Sequence, residues 1–169
     1  VLLADADEST PWTEAAKFGH RCRDAPAPSV LIASRDTHGS QILAHQSFLR
    51  ESLGRSFNIF VRVITGLPFR DTQCGFKLVQ KTAVLGFLPE LSVDGFAWDV
   101  ELLLYARAAG VTTVEVPVIW KHEEDSRIKL FRDGIGMVVN VIRVRLRLLG
   151  SSLQGARRKK ERKTARSTE

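Results

Sequence analysis

The apolar run Val1-Leu2-Leu3-Ala4 ends directly in Asp5-Ala6-Asp7, and that junction constrains the fold more than any other stretch of the chain. A short apolar run that stops at acidic residues reads as a buried strand delivering carboxylates to the C-terminal edge of a sheet. In open α/β sheets that edge is where ligands bind. Residues i and i+2 of an extended strand share one face, so both carboxylates can approach one cation. Hard oxygen donors suit Mg²⁺ or Mn²⁺, commonly shared with substrate phosphates. Taken alone, the triplet is equally an ordinary acidic loop after a strand. A buried strand also needs neighbours, so we expect an N-terminal portion with at least one βαβ unit ahead of Val1.

Strand and helix signals alternate along the rest of the chain, which argues for an α/β layered fold. Ser9-Thr10-Pro11 starts a helix over Trp12–Cys22, with a hydroxyl cap and an early proline. Val30–Ala33 is a second buried strand, ending at Ser34-Arg35. Apolar spacings of three and four predict a helix from Ile42 or His45 to Thr65, stopped by Gly66. Phe76–Val79 is a strand and Lys81–Phe87 a short helix. Phe96–Ala109 is a longer helix ended by Gly110. Val114, Val116 and Val118 put one face of a strand at Thr112–Ile119 into the core. Trp120–Arg127 is a polar loop, and Leu130–Leu149 a final helix.

A chain of 169 residues can bury a core. Its formal charge of +6 is unevenly placed. From Arg157 onward Arg157, Arg158, Lys159, Lys160, Arg162, Lys163 and Arg166 face only Glu161 and Glu169. The body is therefore nearly neutral and residues 150–169 form a basic, disordered tail. A neutral body without a recognisable DNA- or RNA-binding motif argues against a nucleic-acid partner. Two cysteines, Cys22 and Cys74, make no disulfide framework and fit a reducing compartment. The last helix mixes apolar residues with Arg143, Arg145 and Arg147. It reads either as an interfacial helix whose arginines meet lipid headgroups or as a core helix with snorkelling arginines.

Polar clusters mark the candidate chemistry. Arg35 follows the second strand, and Arg50 and Arg55 lie on the next helix; guanidinium forks match phosphate geometry. Arg70-Asp71-Thr72-Gln73-Cys74-Gly75-Phe76-Lys77 is the densest polar group. There Asp71 is a further acidic group of a site or a partner of Arg70, and Gly75 permits close backbone approach. Asp99 stands at a helix start, where it caps the helix or aims at a site. Cys74 is a small buried residue rather than a nucleophile. Ser126 and Arg127 sit in a loop able to close over a pyrophosphate.

Taken in order, Asp5-Ala6-Asp7, Ala33-Ser34-Arg35, the octet Arg70–Lys77, Phe96-Ala97-Trp98-Asp99-Val100-Glu101-Leu102-Leu103, Glu115–Trp120 and Ser126-Arg127 resemble the family 2 glycosyltransferases. Among these the pattern is most similar to dolichyl-phosphate β-glucosyltransferases and other polyprenyl-phosphate glycosyltransferases. The octet is the most specific element. The resemblance implies a GT-A (Rossmann-like) fold over residues 1–149 with a C-terminal amphipathic helix. It also implies a Mg²⁺ or Mn²⁺ ion at Asp5 and Asp7 and a nucleotide-sugar donor, UDP-glucose preferred. The acceptor would be a polyprenyl phosphate, and the location cytoplasmic and peripheral at the membrane surface. By position, Arg35, Arg50, Ser126 and Arg127 would bind substrate, and Asp71 and Asp99 would be catalytic. The reaction expected is an inverting glycosyl transfer; the rival reading is an inactive, truncated relative that only binds membrane.

Overall fold

In the computed structural model, which describes residues 1–44, 46–122 and 134–150, the second apolar run forms an interior strand, β2 (Ser29–Ser34). All six of its residues are buried, as a strand covered on both faces requires. The sheet runs β1 (Leu2–Leu3), β4 (Lys77–Val79), β2, β5 (Thr112–Pro117). β2 is parallel to β5 and antiparallel to β4, and β4 is antiparallel to β1. Strands β1, β2 and β5 thus point the same way. The chain leaves β1 and β2, and enters β4, at one common edge. The register puts Lys77 level with Leu3 and Ile32, so Asp5, Arg35 and the octet all project beyond that edge.

Alternation along β2 divides the core. Val30 and Ile32 join one apolar cluster with Val61 of α2 (Phe48–Thr65), Leu103 of α4 (Trp98–Ala108), and Val141 and Val144 of α5 (134–150). Leu31 and Ala33 join a second cluster with Phe18 of α1 (Ala15–Asp24), Phe76, Val116 and Val118. The result is a helix–sheet–helix sandwich. Phe18 and Phe76 meet edge-to-face with ring centroids 5.1 Å apart. The short helix α3 is Lys81–Val84.

Several expected boundaries shift, each for a physical reason. The helix expected from Ile42 begins only at Phe48, because Gln41–Ala44 is a strand, β3, paired in parallel with β6 (Ile119–Lys121). Trp120 and Lys121 therefore belong to a strand and not to the polar loop. Tertiary pairing overrides local period here. The expected hydroxyl cap at Ser9 and Thr10 is absent: a 3-10 turn at Trp12–Glu14 precedes α1 without a side-chain cap. Gly66 ends α2 as expected, in the left-handed region at φ 70°. The expected tail at 150–169 and the helix start at Leu130 fall largely or wholly on residues outside those described.

Candidate active site

β1 ends before the acidic pair begins, so Asp5 and Asp7 lie in a turn rather than on an extended strand. Glu8 N–H donates to the Asp5 carbonyl at 3.4 Å, and Glu8 itself has φ 56°, a left-handed conformation uncommon for a non-glycine residue. Asp7 Oδ1 accepts from Ser9 N–H at 3.0 Å, which holds this carboxylate within its own turn. The turn thus supplies the proximity expected of an extended strand.

Asp5 leans on the octet. A Cβ placed on Gly75 would overlap the Asp5 carboxylate. Glycine is needed at 75 for space rather than for a special φ. Asp5 is exposed, yet desolvation of its carboxylate against the octet and the neighbouring Asp7 push the carboxyl above its usual range, while Lys77, Arg35 and the Gly75 backbone N–H pull it down. Two like charges that penalise each other are what a bound cation relieves.

Arg35, directly after β2, is gripped by Asp71. Its Nε donates to Asp71 Oδ2 at 2.6 Å and its Nη2 to Oδ1 at 2.9 Å. The backbone N–H groups of Arg35 and Gln73 also donate to Asp71. Burial alone would raise the Asp71 carboxyl; Arg35's charge and these hydrogen bonds outweigh it and hold the carboxyl below its usual range. The guanidinium also lies 5.3 Å from the Trp120 ring centroid. Of the two roles open for Asp71, its partner is Arg35 and not Arg70. Arg70 and Asp71 instead donate their backbone N–H groups to Glu115 Oε1, and Thr72 donates to Asn58 Oδ1.

Asp99 stands in the first turn of α4, but Ala97 occupies the cap position and no side chain caps the helix. The Asp99 side chain turns instead toward Lys77, whose Nζ lies 2.7 Å from Oδ1. Burial pushes the Asp99 carboxyl up, and Lys77 opposes that. Cys74 is buried and its thiol is pushed up by burial, so it is inert at neutral pH. Arg50 lies in the first turn of α2, half-buried. Ser126 and Arg127 lie outside the described residues.

Asp5, Asp71, Asp99, Arg35 and Lys77 act on one another electrostatically, and Asp7 acts on Asp5. Asp5 and Asp7 are hard oxygen donors, and no cluster of three potential ligands occurs among the described residues. A two-carboxylate site completed by substrate oxygens is the pattern that suits Mg²⁺. The residues present therefore fit such an ion. Lys77, Glu115 and Asn58 carry this geometry, yet the sequence reading gave them no role. The signal available was Lys77's place in a strand otherwise bound for the core.

The likeness to known proteins runs well beyond these motifs, over 88% of the chain. The chain is related in sequence to glycosyltransferases. Specifically, it is a relative of the dolichyl-phosphate β-glucosyltransferases. It is 36% identical over 151 residues to that of Dictyostelium discoideum, covering 88% of this chain and 46% of the relative. It is 31% identical over 153 residues to that of Mus musculus, with shares of 88% and 47%. It is 28% identical over 159 residues to that of Saccharomyces cerevisiae, with the same shares. The chain thus spans about half the length of the curated relatives it matches. No family model and no solved structure matches it.

Proposed function

We propose that this chain carries the catalytic half of an inverting glycosyltransferase that moves glucose from UDP-glucose to a dolichyl or related polyprenyl phosphate. One observation carries the reading: acidic Asp5 and Asp7 and the braced Arg35 converge at a single sheet edge. The anomeric carbon's bond to the donor phosphate oxygen breaks as an acceptor phosphate oxygen bonds from the opposite face. The electron pair leaves with the nucleoside diphosphate. When bound, Mg²⁺ or Mn²⁺ neutralises charge on the diphosphate, and Asp5 and Asp7 would hold it. Asp71 keeps Arg35 fixed, so the guanidinium's remaining donors meet the acceptor phosphate without reorganisation. Arg50, Ser126 and Arg127 are assigned to substrate phosphates. Asp99 forms the acidic wall beside the sugar. A phosphate nucleophile is already anionic near neutral pH, so no strong general base is required.

A lipid-linked acceptor calls for a membrane surface, and we assign the reaction to its cytoplasmic face. No helix among the described residues is long and apolar enough to cross a membrane. On α5, Val141 and Val144 face the core while Ile135, Val139, Ile142, Leu146 and Leu149 are exposed. These exposed positions recur at steps of four and three, one stripe of the helix. With Arg143 and Arg145 beside it, the stripe suits an anionic lipid surface. Calorimetric titration with UDP-glucose, with and without Mn²⁺, tests the chemistry. Metal-dependent binding that Asp7→Ala abolishes is expected; binding that ignores both metal and Asp7 would sink it.

A further inference from the structure

Lys77 is a fully buried charge at the edge of the site. Its side chain is 0% exposed, at the head of β4. Across β4 its face continues at Val79, which belongs to the apolar cluster under α2 and α4. A buried ammonium loses its hydration, and replacing a buried ion pair as a whole, here Lys77 with Asp99, by apolar residues is often neutral or stabilising. Folding alone does not call for a charge here.

The ammonium's contacts show what it connects. Nζ donates to the Cys74 carbonyl at 2.5 Å, within the loop that carries Gly75. It lies 2.7 Å from Asp99 Oδ1 on α4 and 5.9 Å from the Trp98 ring centroid. Asp99 Oδ1 is buried against this ammonium. Asp5 in turn rests on Gly75. Three separate segments therefore converge on one buried cation: the acidic turn, the octet and the head of α4.

We infer that Lys77 is the positioning residue of this site, anchoring the Cys74–Gly75 backbone against Asp99 so that the Asp5 carboxylate keeps its seat. The inference deepens the proposed function and rests on it for what the seat is used for. It acts through Asp5 and Asp99, without touching substrate. The geometry explains why the octet ends in lysine: the stem runs along the apolar face and the head reaches α4.

Lys77→Met keeps the stem and removes the charge. In the whole chain, this variant is expected to lose Mn²⁺-dependent UDP-glucose binding by roughly 10- to 100-fold, the range seen when a residue behind a metal ligand is removed. Far-UV circular dichroism should stay unchanged. Should Lys77→Met fold poorly, Lys77→Met/Asp99→Asn removes both charges together and is expected to fold, still without the affinity. A ligand-free readout runs in parallel. The ¹⁵Nζ resonance of Lys77 should exchange slowly in the wild type and shift in Asp99→Asn. The Gly75 amide should shift in Lys77→Met. Wild-type affinity in either Lys77 variant, or a fast-exchanging ammonium with an unmoved Gly75 amide, overturns the inference. If the wild-type chain binds no UDP-glucose, the proposed function fails for this chain, and the ammonium and Gly75 signals still decide Lys77's anchoring role.

Discussion

At the scale of single residues, the site is built from groups whose freedom has been removed. Gly75 is the clearest case. Because a Cβ there meets the Asp5 side chain and not backbone, Gly75→Ala should leave the fold nearly intact and move the carboxylate. The expected outcome is a loss of Mn²⁺ affinity of about 10- to 100-fold with little change in melting temperature, measured by calorimetry and thermal scans. Asp71 gives a second test. Its folded-state pKa lies below its unfolded value, so its stabilisation is fully present above the unfolded value. That stabilisation is lost as pH falls through the folded one. Asp71→Asn should cost about 2–3 kcal/mol at neutral pH, short of the ~3–5 of a fully buried pair because Arg35 keeps part of its surface in water. The difference between wild type and variant should stay flat down to about pH 4, near the unfolded carboxyl pKa, and shrink below it. Urea denaturation across pH reads this; a difference that grows on acidification would contradict the Arg35–Asp71 geometry.

At the scale of elements, what was legible in the sequence is what the backbone edge decides. The apolar runs at Val1–Ala4 and Val30–Ala33 mark strands, and the acidic and basic residues behind them fall at the sheet edge, because strand direction alone puts them there. The bracing partners were not legible. Arg35 finds Asp71 across 36 residues and Arg70 N–H finds Glu115 across 45, and nothing in local period or propensity encodes such pairings. β3 was hidden for the same reason: Gln41–Ala44 becomes a strand because β6 arrives beside it, more than seventy residues later. Asp99 sat at a plausible capping position, and only the folded neighbour Lys77 shows where its carboxylate goes. The exposed stripe of α5 belongs to this scale too. Ile142→Ser with Leu146→Ser should leave the melting temperature within about 1 °C, since exposed positions contribute little to stability. The pair should reduce co-sedimentation with anionic phosphatidylserine vesicles several-fold. Unchanged sedimentation would remove α5 from the docking surface. By contrast, Leu103→Ala on buried α4 should cost about 2–5 kcal/mol, because Leu103 is 0% exposed within the cluster that also takes Val141 and Val144.

At the scale of the whole molecule, charge and connectivity meet at one edge. The two apolar clusters hold the sheet rigid from both faces, while the residues beyond its edge come from three places far apart in sequence: the turn at 5–8, Arg35, and the octet with α4 behind it. A ligand seated there would add a further bridge between segments already joined through the second apolar cluster, where Leu2, Ala4, Ala33, Cys74 and Phe76 meet. Binding should therefore stabilise the fold as a unit, by an amount set by mass action. With Mn²⁺ present and UDP-glucose at about 100 times its Kd, the gain is about 2.7 kcal/mol. For a chain of this size that corresponds to a rise in melting temperature of about 5–11 °C. EDTA should erase the rise, since without a metal the Asp5 and Asp7 carboxylates would repel the donor diphosphate. Asp7→Ala should melt with the wild type in the absence of ligand, because Asp7 is exposed and, among the described residues, bonds within its own turn, and should show no metal-dependent rise. A rise that survives EDTA, or that Asp7→Ala retains, would mean the nucleotide seats elsewhere on the molecule and that the acidic pair at the sheet edge does not hold its metal.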